Sequence, residues 1–368
     1  MDVLPVVSAK ELARFIRLPH DIYREDPNWV APLTSDERTR LTPGKNPYFD
    51  HAEAVYFLAR RNGSDLGRVA ATIDRNHDGY HGERQVAFGF FEAQSSEAAQ
   101  ALLAAVERWG RERGAQVMRG PMSFTTNDDC GALIRGFDSS PVLLMPYNPP
   151  TYADWIEAAG FKKAKDLYAF SIPIPGSPPE QVARVARIAR ERFRVRVRNI
   201  DMKRFGEELG RVKEIYNAAW EKNWGFVPMT EREIDHMAAQ LKPAVNPNLA
   251  LFAEIDGEAV GFLLALPDVN VALKPLHGKL LPFGIVRLLW TIPRIRTCRL
   301  MALGVKAGHR RRGVDAAMVN QITLATKANG FTVCDVGWTL EDNDLINSLI
   351  ATMGGRHDRT YRIYERSL

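Results

Sequence analysis

Leu300-Met301-Ala302-Leu303-Gly304-Val305-Lys306-Ala307-Gly308-His309-Arg310-Arg311-Arg312-Gly313-Val314-Asp315-Ala316-Ala317-Met318 reads as an apolar strand, an arginine- and glycine-rich turn, and the start of a helix. Ala317, Met318, Ile322, Leu324 and Ala325 supply the buried side of that helix. A strand-to-helix junction of this kind points consecutive backbone N–H groups, at the positive end of the helix, toward an anion. Three arginines add charge, and Gly313 admits a close approach to the backbone. The turn suits a pyrophosphate. Its candidate donor-binding residues are Leu303, Val305, Arg310, Arg311, Arg312, Gly313, Val314, Asp315 and Ala316. Standing alone, the same residues also read as a solvated basic turn, because short phosphate-loop patterns recur by chance.

They do not stand alone. A strand, Thr332-Val333-Cys334-Asp335-Val336-Gly337-Trp338, follows, then Glu341-Asp342-Asn343, a helical stretch Asp344–Met353, Gly354-Gly355 and a closing strand Arg359–Tyr364. This order resembles the acyl-CoA-binding half of the GNAT superfamily of N-acyltransferases. The resemblance implies a donor that is acyl-CoA or an acyl carrier protein thioester, with its pyrophosphate on the turn and Asn343 close to the pantetheine. Two positions depart from the superfamily pattern. Asp315 stands where a glycine or alanine is usual, and Ile350 stands where a tyrosine often protonates the leaving thiolate.

Length and composition bound the rest. A chain of 368 residues is long for one domain and comfortable for two. Its 45% apolar and 25% charged residues describe an ordinary globular protein. It has no apolar run of spanning length and no signal-peptide pattern at Met1–Pro5, and three widely spaced cysteines fit a reducing compartment. The expected location is therefore the cytoplasm, or the periphery of the cytoplasmic membrane. The net charge of +5 favours anionic partners. CoA, acyl carrier protein and an anionic inner-membrane surface all qualify, and no nucleic-acid motif promotes RNA or DNA above them. The eight histidines show no metal-ligand spacing, so no metal is expected.

Four prolines and a glycine within Ile172–Pro179 read as a linker. They suggest a first unit over 1–174, a linker at 175–180 and a second unit over 181–368. The two halves share features in the same order. Each has a strand–turn–strand, around Asn62-Gly63 and Asp256-Gly257, and each closes with glycine followed by an aromatic strand. The expected fold is α+β, with two tandem GNAT-like units, each a mixed and mostly antiparallel sheet flanked by helices. The first unit has no arginine/glycine turn and is expected to be a platform that does not bind CoA. Ser8-x-x-Glu11 and Thr230-x-x-Glu233 read as capping boxes.

An insertion over 267–298 is longer than a hairpin needs and too apolar for disorder. Lys279, Arg287, Arg294 and Arg296 punctuate leucine, isoleucine, phenylalanine and tryptophan. That composition suits a membrane interface or an acyl-chain tunnel. Packing of Ile285–Trp290 on the sheet is the plainer alternative. Asp268 and Glu341 are candidate general bases, and Asn343 joins them as a candidate catalytic residue. Asn223, Trp224, Phe226, Asn270 and Phe283 are candidates for the acceptor site. The whole chain resembles a bacterial family of double GNAT-like proteins, a group that includes bacterial ceramide synthases. Its marks are Asn223–Pro228, Pro267-Asp268-x-Asn270-x-Ala272-Leu273, Pro282-Phe283-Gly284 and the Arg310–Asp315 turn. The resemblance implies transfer of a long-chain acyl group from a thioester to a primary amine, such as a sphingoid base to give ceramide. Small-molecule N-acetylation, aminoacyl transfer and non-catalytic acyl-CoA or membrane binding are the alternatives.

Overall fold

Asn62-Gly63 and Asp256-Gly257 each carry two successive positive φ angles, 51° and 81° in the first and 49° and 87° in the second. Such a pair makes a two-residue type I′ turn, whose twist matches that of the flanking strands. Each turn accordingly closes an antiparallel hairpin in the computed structural model, which describes residues 1–280 and 282–368. Leu281, which the sequence places inside the insertion, lies outside the described residues.

The chain begins with β1 (Asp2–Pro5), α1 (Ala9–Ile22), α2 (Thr34–Arg40), β2 (Ala52–Arg61), β3 (Ser64–Asp74), α3 (Arg75–His81) and β4 (Gln85–Ala93). It continues through α4 (Ser96–Glu112), β5 (Val117–Gly120), β6 (Met122–Ser123), β7 (Asp129–Cys130), β8 (Ala132–Arg135), α5 (Thr151–Ala158) and β9 (Lys162–Pro173). Next come α6 (Glu180–Phe193), β10 (Arg196–Asn199), α7 (Phe205–Trp220), α8 (Glu231–Leu241), β11 (Ala250–Ile255), β12 (Glu258–Pro267), α9 (Asn270–Leu273) and α10 (Gly284–Thr291). The last elements are β13 (Thr297–Val305), α11 (Val314–Ala328), β14 (Val333–Leu340), α12 (Asp344–Thr352) and β15 (Arg356–Ser367). Two compact units result. One is Met1–Tyr168 with Ala272–Leu288 and Asp358–Leu368, and the other is Ala169–Val271 with Leu289–His357. Whereas the prolines at 173–179 suggest a cut at 174, compactness divides the chain inside β9, and two segments from the second half join the first unit.

In the first unit the sheet runs β1-β2-β3-β4-β5-β15, antiparallel except for the parallel pair β4/β5, with β8 also pairing with β15. Alternate residues of β3 face opposite ways. Val69, Ala71 and Ile73 join the α4 cluster around Leu102, Val106 and Trp109, whereas Ala70 joins Phe15, Leu41 and Tyr48. The β4/β5 register spans Gln85–Ala87 against Val117–Arg119. Beyond it, the unit's own chain lies against β4. A Cβ on Gly89 would sit 1.8 Å from the Met122 carbonyl oxygen, and the Phe90 N–H donates to Ser123 Oγ at 3.0 Å. The 272–288 segment is tied into this unit by Lys274 Nζ donating to Ser140 Oγ at 2.7 Å and by the Thr34 N–H donating to the Gly278 carbonyl at 3.1 Å.

In the second unit β10, β11, β12 and β13 form an antiparallel run, and β14 adds in parallel to β13. Tyr216, Ala219 and Trp220 of α7 pack on Phe252, Phe262 and Ala302. Val182 of α6, Ala316 and Val319 of α11 and Ile350 of α12 enclose Leu300, Leu303 and Val336 in a second cluster. The insertion folds as two short helices, and packing of Ile285–Trp290 on the sheet is not what forms. No residue of α10 is buried. No helix among the described residues is long and apolar enough to cross a membrane.

Candidate functional site

β13 and β14 pair only from Thr297↔Val333 to Arg299↔Asp335. On its other edge β13 stays bonded to β12 as far as Val305↔Gly261. From Leu300 to Val305, therefore, β13 presents one edge of backbone N–H and C=O groups outside the register with β14, a rail along which an extended amide-bearing chain can pair. Leu264 faces Ala302 while Ala265 faces Leu300, which leaves Met301 as the extra residue of a β-bulge just past the point of separation. Arg299 is buried there, and its Nη2 donates to the Gly337 carbonyl of β14 at 2.9 Å. The sequence reading missed Arg299. Its signal is a lone arginine inside an otherwise apolar strand.

At the far end of β13 the turn has the features its sequence promised, with a different division of labour. Gly313 is the N-cap of α11 at φ 71°. The first helical bond runs from the Ala317 N–H to the Gly313 carbonyl at 2.9 Å, so the N–H groups of Val314, Asp315 and Ala316 precede the ladder and suit an anion. Gly313 is needed for a reason the sequence did not reveal. A Cβ there would lie 2.9 Å from Val185 Cγ1 on α6, so the close approach it permits is that of a helix. Arg311 sits at φ 63°, a conformation that costs a non-glycine residue about 1 kcal/mol and marks many binding sites.

The three arginines do not act alike. Arg310 donates through Nη2 to the Ala219 carbonyl at 2.7 Å and through Nε to that of Val305 at 3.3 Å, bracing the turn against α7. Arg311 and Arg312 have no hydrogen bond or ion pair to a described residue, and these two cations are left for a ligand. Lys306 is also engaged, with Glu214 at 2.5 Å and Glu258 at 2.8 Å. Burial lowers the Lys306 pKa, but the two carboxylates outweigh it and hold the ammonium above its ordinary value. Asp315 is exposed between buried Val314 and Ala316, in the first turn of α11. The side chain of Leu303 is half-buried and packs against the core cluster of the second unit.

At the end of β14, Asn343 caps α12, its Oδ1 accepting from the Ile346 N–H at 3.4 Å. Asn347, another residue the sequence reading passed over, holds the loop. Its Nδ2 donates to the Leu340 carbonyl at 3.1 Å, and its Oδ1 accepts from Thr339 Oγ1 at 2.7 Å. Ile350 is 4% exposed and fills the core against Gly355, so no phenol stands at that turn.

The two candidate bases lie apart along β13. Asp268 is buried, and its N–H donates to the Thr297 carbonyl at 2.9 Å, at the end of β13 remote from the turn by about 26 Å at 3.3 Å per residue. Its Oδ1 accepts the Asn270 N–H at 3.2 Å, which opens α9. Glu341 is half-buried and follows the diverging end of β14. Among the acceptor candidates, Phe226 is buried 6.3 Å from the Tyr216 ring, whereas Asn223 and Trp224 are half-buried beside it. Phe283 is 79% exposed and falls in the segment grouped with the first unit. Cys298 and Cys334 pair in register, and a hydrogen bond from Cys298 together with burial pushes the Cys334 thiol well up, away from thiolate chemistry. Among the described residues no group of three or more His, Cys, Asp or Glu could hold a metal ion.

No family model matches the chain. It is similar to a bacterial ceramide synthase from Caulobacter vibrioides, 37% identical over all of this chain and 98% of that protein. It is also 33% identical to Protein YghO from Escherichia coli, over 98% of this chain and 94% of the other. Among solved structures it is similar to a tandem GNAT protein from the clavulanic acid biosynthesis pathway, with a TM-score of 0.56 over 100% of this chain and 98% of that one. A GCN5-related N-acetyltransferase from Sphaerobacter thermophilus gives 0.54 over 99% and 95%. At 12% and 14% identity these two speak for the fold alone. A mixed α+β chain with a phosphate-type turn, end-to-end likeness to tandem GNAT structures and 37% identity to bacterial ceramide synthase over its full length thus belongs to the GNAT N-acyltransferase family.

Proposed function

We propose that this N-acyltransferase moves a long-chain acyl group from a CoA thioester to the primary amine of a sphingoid base, giving a ceramide-type amide. The observation that carries the reading is the 37% identity with bacterial ceramide synthase along the full length of both chains. The donor's pyrophosphate lies on the N–H groups of Val314–Ala316 with Arg311 and Arg312, and its pantetheine amides pair with the open edge of β13. A backbone N–H of that edge polarises the thioester carbonyl, the electrostatic term that usually contributes most to acyl transfer. The amine nitrogen then attacks the carbonyl carbon, the C–N bond forms, the C–S bond breaks with its electron pair leaving on sulfur, and the proton shed by the attacking nitrogen passes to that sulfur to give the thiol. A protonated amine must first lose a proton. Glu341, at the diverging end of β14, is assigned that role in preference to Asp268, whose carboxylate shapes the turn into α9.

Mass spectrometry of products from palmitoyl-CoA with sphinganine or 3-ketosphinganine, run beside acetyl-CoA, tests the reading. A long-chain amide is the expected product. Acetyl transfer alone would overturn it in favour of a small-molecule acetyltransferase. Glu341→Gln should lower kcat about a hundredfold, whereas Asp268→Asn should chiefly lower stability.

A further inference from the structure

The geometry points to α10 as a docking element for the surface of an anionic phospholipid membrane. The helix is amphipathic in the wrong sense for a globular protein. At 100° per residue, Val286, Leu289 and Trp290 share one face with Phe283 a turn earlier. They are 68%, 66%, 63% and 79% exposed. Leu288 and Thr291, on the other side, are half-buried. An exposed apolar patch on a single short helix marks a surface that meets something apolar.

Charge specifies the partner. From Val269 to Val314 the chain has no aspartate or glutamate. Within that stretch Lys279, Arg287, Arg294 and Arg296 are all exposed, Arg287 on α10 itself. The Arg294 guanidinium lies 3.9 Å from the centre of the Trp290 ring and donates to the Trp290 carbonyl, so a cation is fixed beside the largest apolar side chain. Aromatic and aliphatic side chains framed by cations, without acids, match the boundary between phosphate headgroups and acyl chains. A protein partner would have to present an acidic rim around an apolar hollow, whereas an anionic bilayer offers both everywhere on its surface. The docking holds the chain where amphiphilic substrates reside, and it requires no catalytic step.

Vesicle flotation of the full chain tests the proposal with neither donor nor acceptor present, so the result is independent of the acyl-transfer reading. The chain should float with phosphatidylcholine–phosphatidylglycerol vesicles and hardly at all with phosphatidylcholine alone, and added salt should weaken the binding. Val286→Asp with Leu289→Asp, and separately Arg287→Glu with Arg294→Glu, should each cut the bound fraction about tenfold or more. All four positions are exposed, so thermal melts of both variants should superimpose on that of the parent. Failure of the parent to float, or equal flotation of parent and variants, would overturn the proposal. So would light scattering that shows the apolar face covered by a second copy, with the aspartate pair releasing monomers that still ignore vesicles.

Discussion

Gly313 answers to two demands at once, a left-handed backbone and a helix pressed against its α-carbon, whereas its arginine neighbours answer to one each. Gly313→Ala should cost about 2–3 kcal/mol by combining conformational strain with overpacking against Val185, read as a lower midpoint in denaturant titration. Arg311→Ala and Arg312→Ala should leave that midpoint within about 0.5 kcal/mol and raise the KM of the acyl donor. A second residue-scale prediction concerns Asp166 and Arg362, which share two hydrogen bonds at 2.7 and 3.0 Å inside the first unit. Burial pushes the Asp166 carboxyl up, but Arg362 and Lys163 outweigh it and hold it below its ordinary value of 3.8. A carboxyl lowered by folding contributes stability above its unfolded value, and that contribution is lost as pH falls through the folded one. Arg362→Gln should therefore cost about 2 kcal/mol at neutral pH, and the gap between variant and parent should close in unfolding experiments as the pH falls below the ordinary 3.8 of Asp166.

Elements with purely local causes were legible in the sequence. Both capping boxes form, because each needs only a hydroxyl and a carboxylate three residues apart. Both glycine hairpins form for the same kind of reason, and α11 and α12 begin directly after Gly313 and Asn343, where the sequence places them. The site was legible only as far as its backbone. The turn, β13 and the cap of α12 could be read, but the inward commitment of Arg310 depends on a carbonyl 91 residues away. Likewise the bulge at Met301 depends on pairing with β12, and the exposure of α10 depends on what fails to pack against it. Ile350 illustrates a role that tertiary packing decides. Ile350→Ala should cost about 2–4 kcal/mol as a cavity, and Ile350→Tyr should lower the melting temperature without adding an alkaline limb to the pH profile, since Gly355 leaves no room for a ring.

For the whole molecule the telling fact is that β15 belongs to the first unit, where it pairs with β5 and β8 and buries Tyr361 and Tyr364 completely. The prolines at 173–179 suggested a clean cut between halves, and no local signal could say that the last strand crosses it, since strand partners are chosen by sheet geometry. A chain ending at His357 should therefore lose the protease resistance of residues 1–168, and not only that of the second unit, in timed digestion read by mass spectrometry. The same connectivity sets a schedule for biosynthesis. Asp358 leaves the ribosome about 190 residues after Tyr168, and at 5–20 residues per second the nascent first unit waits roughly 10–40 s for its missing strand. Throughout that interval β5 offers an unpaired edge to any other chain emerging nearby, so the need for chaperone cover begins early in translation and lasts until residues 358–368 arrive.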